Sequence, residues 1–197
     1  MNIIETYKEM FDAFLHPQDA KKNLRKKTPS DAAIAVILGA LIPALLGALA
    51  LFALGSVFGA AAGLVTPGFG LAGLGAGLGV AAGIAAIILY PVGQLISWLI
   101  GAILIWVVAK ILGGKGDLMD FAVPFAFPFA AMTAISWIPI VGLLVSIWML
   151  YVLYQLLQTV MGLESGKAIL AIILLVVVAF VAGGLLGTIF TLGALTA

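Results

Sequence analysis

The sequence contains no cysteine in 197 residues. That excludes disulfides, thiolate metal sites and thiol catalysis. It contains one histidine, His16, expected at the surface beside Pro17 rather than as a ligand. No serine–histidine or glutamate–histidine set can be assembled inside a membrane, which removes an intramembrane protease. Charge is scarce as well: 9% of residues are charged, where a soluble domain carries about 25%. None lies between Ala32 and Ala109, and none between Phe121 and Leu163. A hydrocarbon layer ~30 Å thick needs ~20 apolar residues per helix, and both gaps exceed that. The chain therefore reads as one polytopic, all-α transmembrane bundle. No ionisable residue falls in the middle of a span, which argues against a pump or proton-coupled transporter. The N-terminus, Met1 to Lys8, mixes acid and base without a short apolar core and cleavage site, so no removable signal peptide is expected.

What charge there is sits in three places. Residues 1–30 form the first, a cytoplasmic amphipathic and basic segment. Ile3, Ile4, Tyr7, Met10, Phe11, Phe14 and Leu15 recur at helical spacing with Glu5, Lys8, Glu9 and Asp12 between them. Such a helix either lies in the membrane interface or packs on the ends of the bundle. After Pro17 a second short helix is expected over Gln18 to Lys27. It carries Lys21, Lys22, Arg25, Lys26 and Lys27. These bases act as a topology signal that keeps this end cytoplasmic. They can also attract anionic lipid headgroups, at about 1 kcal/mol per base.

The second charged place is the island Lys110-Ile-Leu-Gly-Gly-Lys-Gly-Asp-Leu-Met-Asp120. Gly113-Gly114-Lys115 is no nucleotide-binding loop, since Gly116 stands where Ser or Thr is required and no strand precedes it. Gly77-x-Gly79-x-x-Ala82 fails as a dinucleotide fingerprint for the same lack of a strand. Asp117 and Asp120 could serve acid–base chemistry. At the start of a helix, three apart, they are better read as a cap. Lys110 and Lys115 can reach headgroup phosphates or pair with these acids. The third place is the loop Gly162–Lys167.

Spans are expected at about 31–54, 83–109, 118–136, 139–161 and 168–192. That is five, with the N-terminus cytoplasmic and the C-terminus outside. Residues 55–82 are Gly-rich and apolar, with a turn signal at Thr66-Pro67-Gly68. They read as a re-entrant or continued-helix excursion, because a third span there would put Lys110 and Lys115 opposite the basic N-terminus. Gly55-x3-Gly59-x3-Gly63 and Gly75-x3-Gly79-x3-Gly83 place glycines on one helical face, where helices approach closely within a subunit or between subunits of a homo-oligomer. Prolines 43, 91, 124 and 128 fall inside spans and should kink them. Gln94, the broken helices around it and the Gly-rich 55–82 segment leave a small permease or channel as the alternative to a non-enzymatic organising protein. No metal, cofactor or nucleic-acid partner is expected.

The run from Leu112 to Ala168 resembles the Yip domain family (Ypt-interacting proteins) of five-span membrane proteins. The matching features are the Gly-Gly-Lys-Gly-Asp turn, Leu118, Phe121, Pro124, Pro128, the Ile138-Pro139-x-x-Gly142 hairpin, Trp148, and Gly162-Leu-x-x-Gly166-Lys167-Ala168. The resemblance implies a multi-pass protein that acts through lipid or protein contacts rather than catalysis. Eukaryotic relatives are associated with membrane trafficking, small GTPases and curved membranes. This chain has no Asp-Leu-Tyr-Gly-Pro motif before its first span, so the resemblance does not extend to GTPase binding. The Gly/Ala-rich, cysteine-free chain looks more like prokaryotic members, in the cell membrane.

Overall fold

The computed structural model describes residues 2–24, 26–65 and 71–196. Its helices are α1 (Ile3–Leu15), α2 (Ala20–Asn23), α3 (Pro29–Val65), α4 (Leu71–Ile111), α5 (Leu118–Ile135), α6 (Pro139–Thr159) and α7 (Ser165–Thr196), with a 3₁₀ turn at Pro17–Asp19. No strand occurs among the described residues. Pro29–Phe58, Gly77–Ile111, α5 and α6 are each long and apolar enough to cross a membrane, and Ser165–Val181 adds a shorter apolar stretch. The chain is thus an all-helical membrane bundle.

The central element is α5. Twelve of its residues, Phe121 and Phe127 among them, are buried between α3, α1, α6 and α4. Lipid tails are as apolar as leucine, so close packing rather than hydrophobic exclusion holds helices together there. On α3 the buried residues Ala32, Val36, Ala40, Ala44 and Ala48 recur every four positions. Gly39, on the same helix, lies directly on the backbone of Ala130, leaving no room for a Cβ. Phe121 stacks on Phe125 at 5.5 Å and Phe125 tilts against Phe129 at 5.8 Å. Trp98 of α4 donates its Nε1 proton to the Ala122 carbonyl at 3.1 Å. Pro124 and Pro128 are embedded in α5, and the helix continues through both.

The first two spans are longer than their hydropathy breaks suggest. α3 has 37 residues and α4 has 41, so residues 55–65 and 71–82 continue the two helices, the second of the two courses expected for this stretch. The Thr66-Pro67-Gly68 turn signal lies outside the described residues. Glycine inside a helix costs about 1 kcal/mol relative to alanine in water. In lipid an unwound backbone costs more, because nothing else satisfies its N–H and C=O groups. The glycines also have a packing use: a Cβ on Gly79 would meet the Gly55 Cα and the Leu51 carbonyl, both at 2.8 Å. The second expected N-terminal helix is shorter than read. It ends at Asn23, where Leu24 turns inward as its C-cap and is 3% exposed.

The amphipathic α1 packs on the bundle. Thr6, Met10, Ala13 and Phe14 are buried, mainly against α5. Tyr7 donates its hydroxyl proton to the Leu38 carbonyl of α3 at 2.7 Å. Trp148 of α6 donates to the Phe14 carbonyl at 2.8 Å, satisfying one of the free carbonyls at the end of α1. Ile3, Ile4 and Leu15 stay exposed, so the helix keeps an apolar edge that faces outward.

Candidate functional site

The charged segments converge on one end of the bundle, and the local sequence explains how. Gly113 and Gly116 adopt φ of +92° and +102°, a region open to glycine and strained for other residues. The turn they make is pinned at several points. The Gly114 N–H donates to the Ala109 carbonyl and the Lys115 N–H to the Met161 carbonyl, each at 2.7 Å. Trp106 donates its Nε1 proton to the Gly116 carbonyl at 3.3 Å. Asp117 precedes α5 in extended conformation, and its N–H donates to Asp120 Oδ2 at 3.2 Å, one half of a capping box. The α6–α7 loop is closed by Gly162 at φ +65°. Gly162 N–H donates to the Gln158 carbonyl, the bond of an αL cap at a positive-φ glycine, and Leu163 N–H to the Leu157 carbonyl, both at 3.1 Å.

The N-terminal segment folds back over these loops. Lys21 donates from Nζ to the Thr159 carbonyl at 3.0 Å, across 138 residues of sequence. Lys27 forms an ion pair with Glu9 of α1. The other Glu9 oxygen, Oε2, is buried without a hydrogen-bond donor. Asn23 donates to Asp12 Oδ2 at 3.2 Å, and His16 lies 3.2 Å from Asp12 Oδ1. Thr28 donates its N–H and hydroxyl proton to Asp31 at 2.9 and 2.8 Å, closing the start of α3. Burial pushes the Tyr7 phenol above its ordinary value of 10.0.

Between these parts lies a cavity of about 490 Å³. Its charged lining is Lys21, Lys27, Lys115 and Asp120; its apolar lining includes Leu24, Met119, Val123, Pro124 and Val160. Of the residues expected at a headgroup or partner contact, Lys21, Lys27 and Lys115 are therefore brought together. Lys22, Lys26, Lys110 and Asp117 do not line the cavity. Lys110 instead sits over the Trp106 ring, 5.6 Å from its centroid, a cation–π arrangement. Arg25 lies outside the described residues. Glu9, Trp106, Asp120 and the Thr159 carbonyl take part without having been singled out as contacts. For Asp120 the signal was its place three residues after Asp117.

Of the small-residue ladders, Gly79 lies against Gly55, and a Cβ on Gly83 would strike the Phe52 ring. These contacts join α3 to α4 within one chain. The packing of Gly59, Gly63 and Gly75 lies outside the described residues. A second cavity, of about 300 Å³, is lined by Ile105, Phe125, Phe129, Met132, Met149 and Leu153, with Ser146 and Leu150. Gln94 lines neither cavity. No cluster of metal-ligating side chains occurs among the described residues.

The family model described as Yip1 domain matches residues 11–186 of the chain. No curated protein and no solved structure matches it.

Proposed function

We propose, on the premise that the chain belongs to the Yip1 domain family, that it is a non-enzymatic membrane-organising scaffold whose charged face engages anionic lipid. One observation carries this reading. Among the described residues, the basic N-terminal segment and the island loop come together with the α6–α7 loop at one end of a bundle whose spans carry no charge away from their ends. By the positive-inside rule that end is cytoplasmic, so five crossings leave the C-terminus outside. Anionic headgroups of the cytoplasmic leaflet attract bases at this depth, by about 1 kcal/mol each. The glycine contacts between α3 and α4 supply rigidity within the chain, and further copies can add to the same surface. The alternative of a permease around Gln94 draws no support from either cavity.

The test is reconstitution of the full chain into vesicles with and without anionic phospholipid, followed by electron microscopy of vesicle size and shape. We expect remodelling that requires anionic lipid and that is lost when Lys21, Lys22, Arg25, Lys26 and Lys27 are all changed to Gln. Remodelling indifferent to lipid charge and to those five substitutions would remove the lipid role.

A further inference from the structure

We infer that the cavity between the N-terminal segment and the island loop is a seat for the phosphate of one anionic glycerophospholipid. The inference rests on the reading above and sharpens it from a surface to a site.

The lining is graded. Leu24, Val123 and Val160 are 3%, 6% and 7% exposed, whereas Met119 is 48% exposed and Lys21 and Lys115 are exposed. The most buried part of the lining is hydrocarbon, while Lys21, Lys115 and Asp120 are exposed, an arrangement that suits an amphiphile. Among the described residues Lys115 has no ion pair, and Lys21 gives one of its three protons to the Thr159 carbonyl. Lys27 is offset by Glu9. Two ammonium groups thus remain to meet a phosphate, from two segments that only the fold brings together. The N-terminal turn of α5 borders the same space through Met119 and Asp120, and its dipole favours an anion there. Asp120 is already engaged by the Asp117 N–H, and its carboxylate can also accept from a headgroup hydroxyl.

A free phosphate would use the ammonium groups and leave the apolar half empty. The lining also includes Pro29, Pro124 and Val160, near the charged ends of α3, α5 and α6. That is the level at which a lipid presents its glycerol phosphate. A volume of about 490 Å³ holds a glycerophosphate headgroup and the first carbons of its chains, within the usual range for small-molecule pockets.

Native mass spectrometry of the full chain in mild detergent tests this, titrating phosphatidylglycerol and, separately, phosphatidylcholine. A single saturable phosphatidylglycerol adduct is expected, with phosphatidylcholine bound weakly. Lys21→Gln/Lys115→Gln should weaken it roughly 25-fold, as two bases at about fivefold each imply. Lys21→Arg/Lys115→Arg should restore it. Lys22→Gln/Lys26→Gln removes the same charge outside the cavity and should leave affinity within about twofold. Glycerol 3-phosphate and inorganic phosphate are the competing probes. If either displaces the lipid at equal concentration, the site is for soluble phosphate and the inference is overturned. If the two Gln pairs weaken binding alike, attraction is diffuse; the seat is then wrong while the scaffold reading stands. If neither pair matters and vesicle remodelling also ignores the five bases, both fall.

Discussion

Gly39 and Gly47 stand eight residues apart on the same helix and face different surroundings. A Cβ on Gly39 would enter the backbone of Ala130, whereas one on Gly47 would meet nothing within 4 Å. Backbone cannot move aside as the tip of a side chain can, so overpacking here should cost about 1–3 kcal/mol. Gly39→Ala is therefore expected to lower the unfolding midpoint in a detergent titration. Gly47→Ala should leave the midpoint unchanged or raise it, since alanine is the better helix former by up to about 1 kcal/mol. Gly79→Ala and Gly77→Ala repeat the contrast on α4: the first would press on Gly55 and Leu51, the second on nothing within 4 Å. Equal effects within either pair would mean that the close approach of α3 to α5 or to α4 does not hold the bundle together.

At the level of elements, the docking of α1 carries a pH signature. Burial disfavours the phenolate, so the docked Tyr7 titrates above 10.0. An undocked Tyr7 loses its proton first as pH rises. The contribution to docking is therefore complete below the ordinary value and is lost as pH climbs through the raised one. Hydrogen-exchange protection of Ile3–Leu15 should fall across that alkaline window. In Tyr7→Phe the step due to this group should vanish, with protection lower by about 0.5–1.5 kcal/mol below it for the lost hydrogen bond to Leu38. An identical profile in both proteins would show that Tyr7 does not hold α1.

Much of this architecture was legible in the residues, and the exceptions have physical causes. Apolar run length marked the spans, because bilayer thickness fixes it. The glycine turn at 113–116 and the Asp117–Asp120 cap were legible because both are local. The sequence left the course of 55–65 and 71–82 between a re-entrant segment and a continued helix, since glycine weakens helices in water but not where lipid forbids an open backbone. The choice for α1 between interface and bundle was equally open, because periodicity reveals an apolar face and not what covers it. The cavity was illegible for a different reason. Lys21, Lys27 and Lys115 are separated by a helical hairpin in sequence, and only the fold of α1 and α2 back onto the loops brings them together.

On the scale of the whole molecule, the helices do not match one another in length. α5 has 18 residues and spans about 27 Å, close to a hydrocarbon thickness of ~30 Å, whereas α3 with 37 residues runs for about 55 Å. The apolar surface continues along the excess: Phe58 and Leu78 are 67% and 70% exposed. Water is no place for such a surface, so α3 and α4 must tilt or bend to stay in lipid. Pro43 and Pro91, embedded in them, are the natural points of bending. The short α5–α6 hairpin then sets where the membrane ends, with Trp137, half exposed at its turn, at the far surface. Because the chain has no cysteine, single substitutions can test this directly with a membrane-impermeant maleimide. Asp19→Cys and Glu164→Cys should react from the same side, and Trp137→Cys only from the opposite one. Ile84→Cys, on the long hairpin, should stay unlabelled from either side. Labelling of Ile84→Cys with protection of Trp137→Cys would reverse the assignment, placing the α5–α6 turn inside the bilayer and the α3–α4 hairpin beyond it.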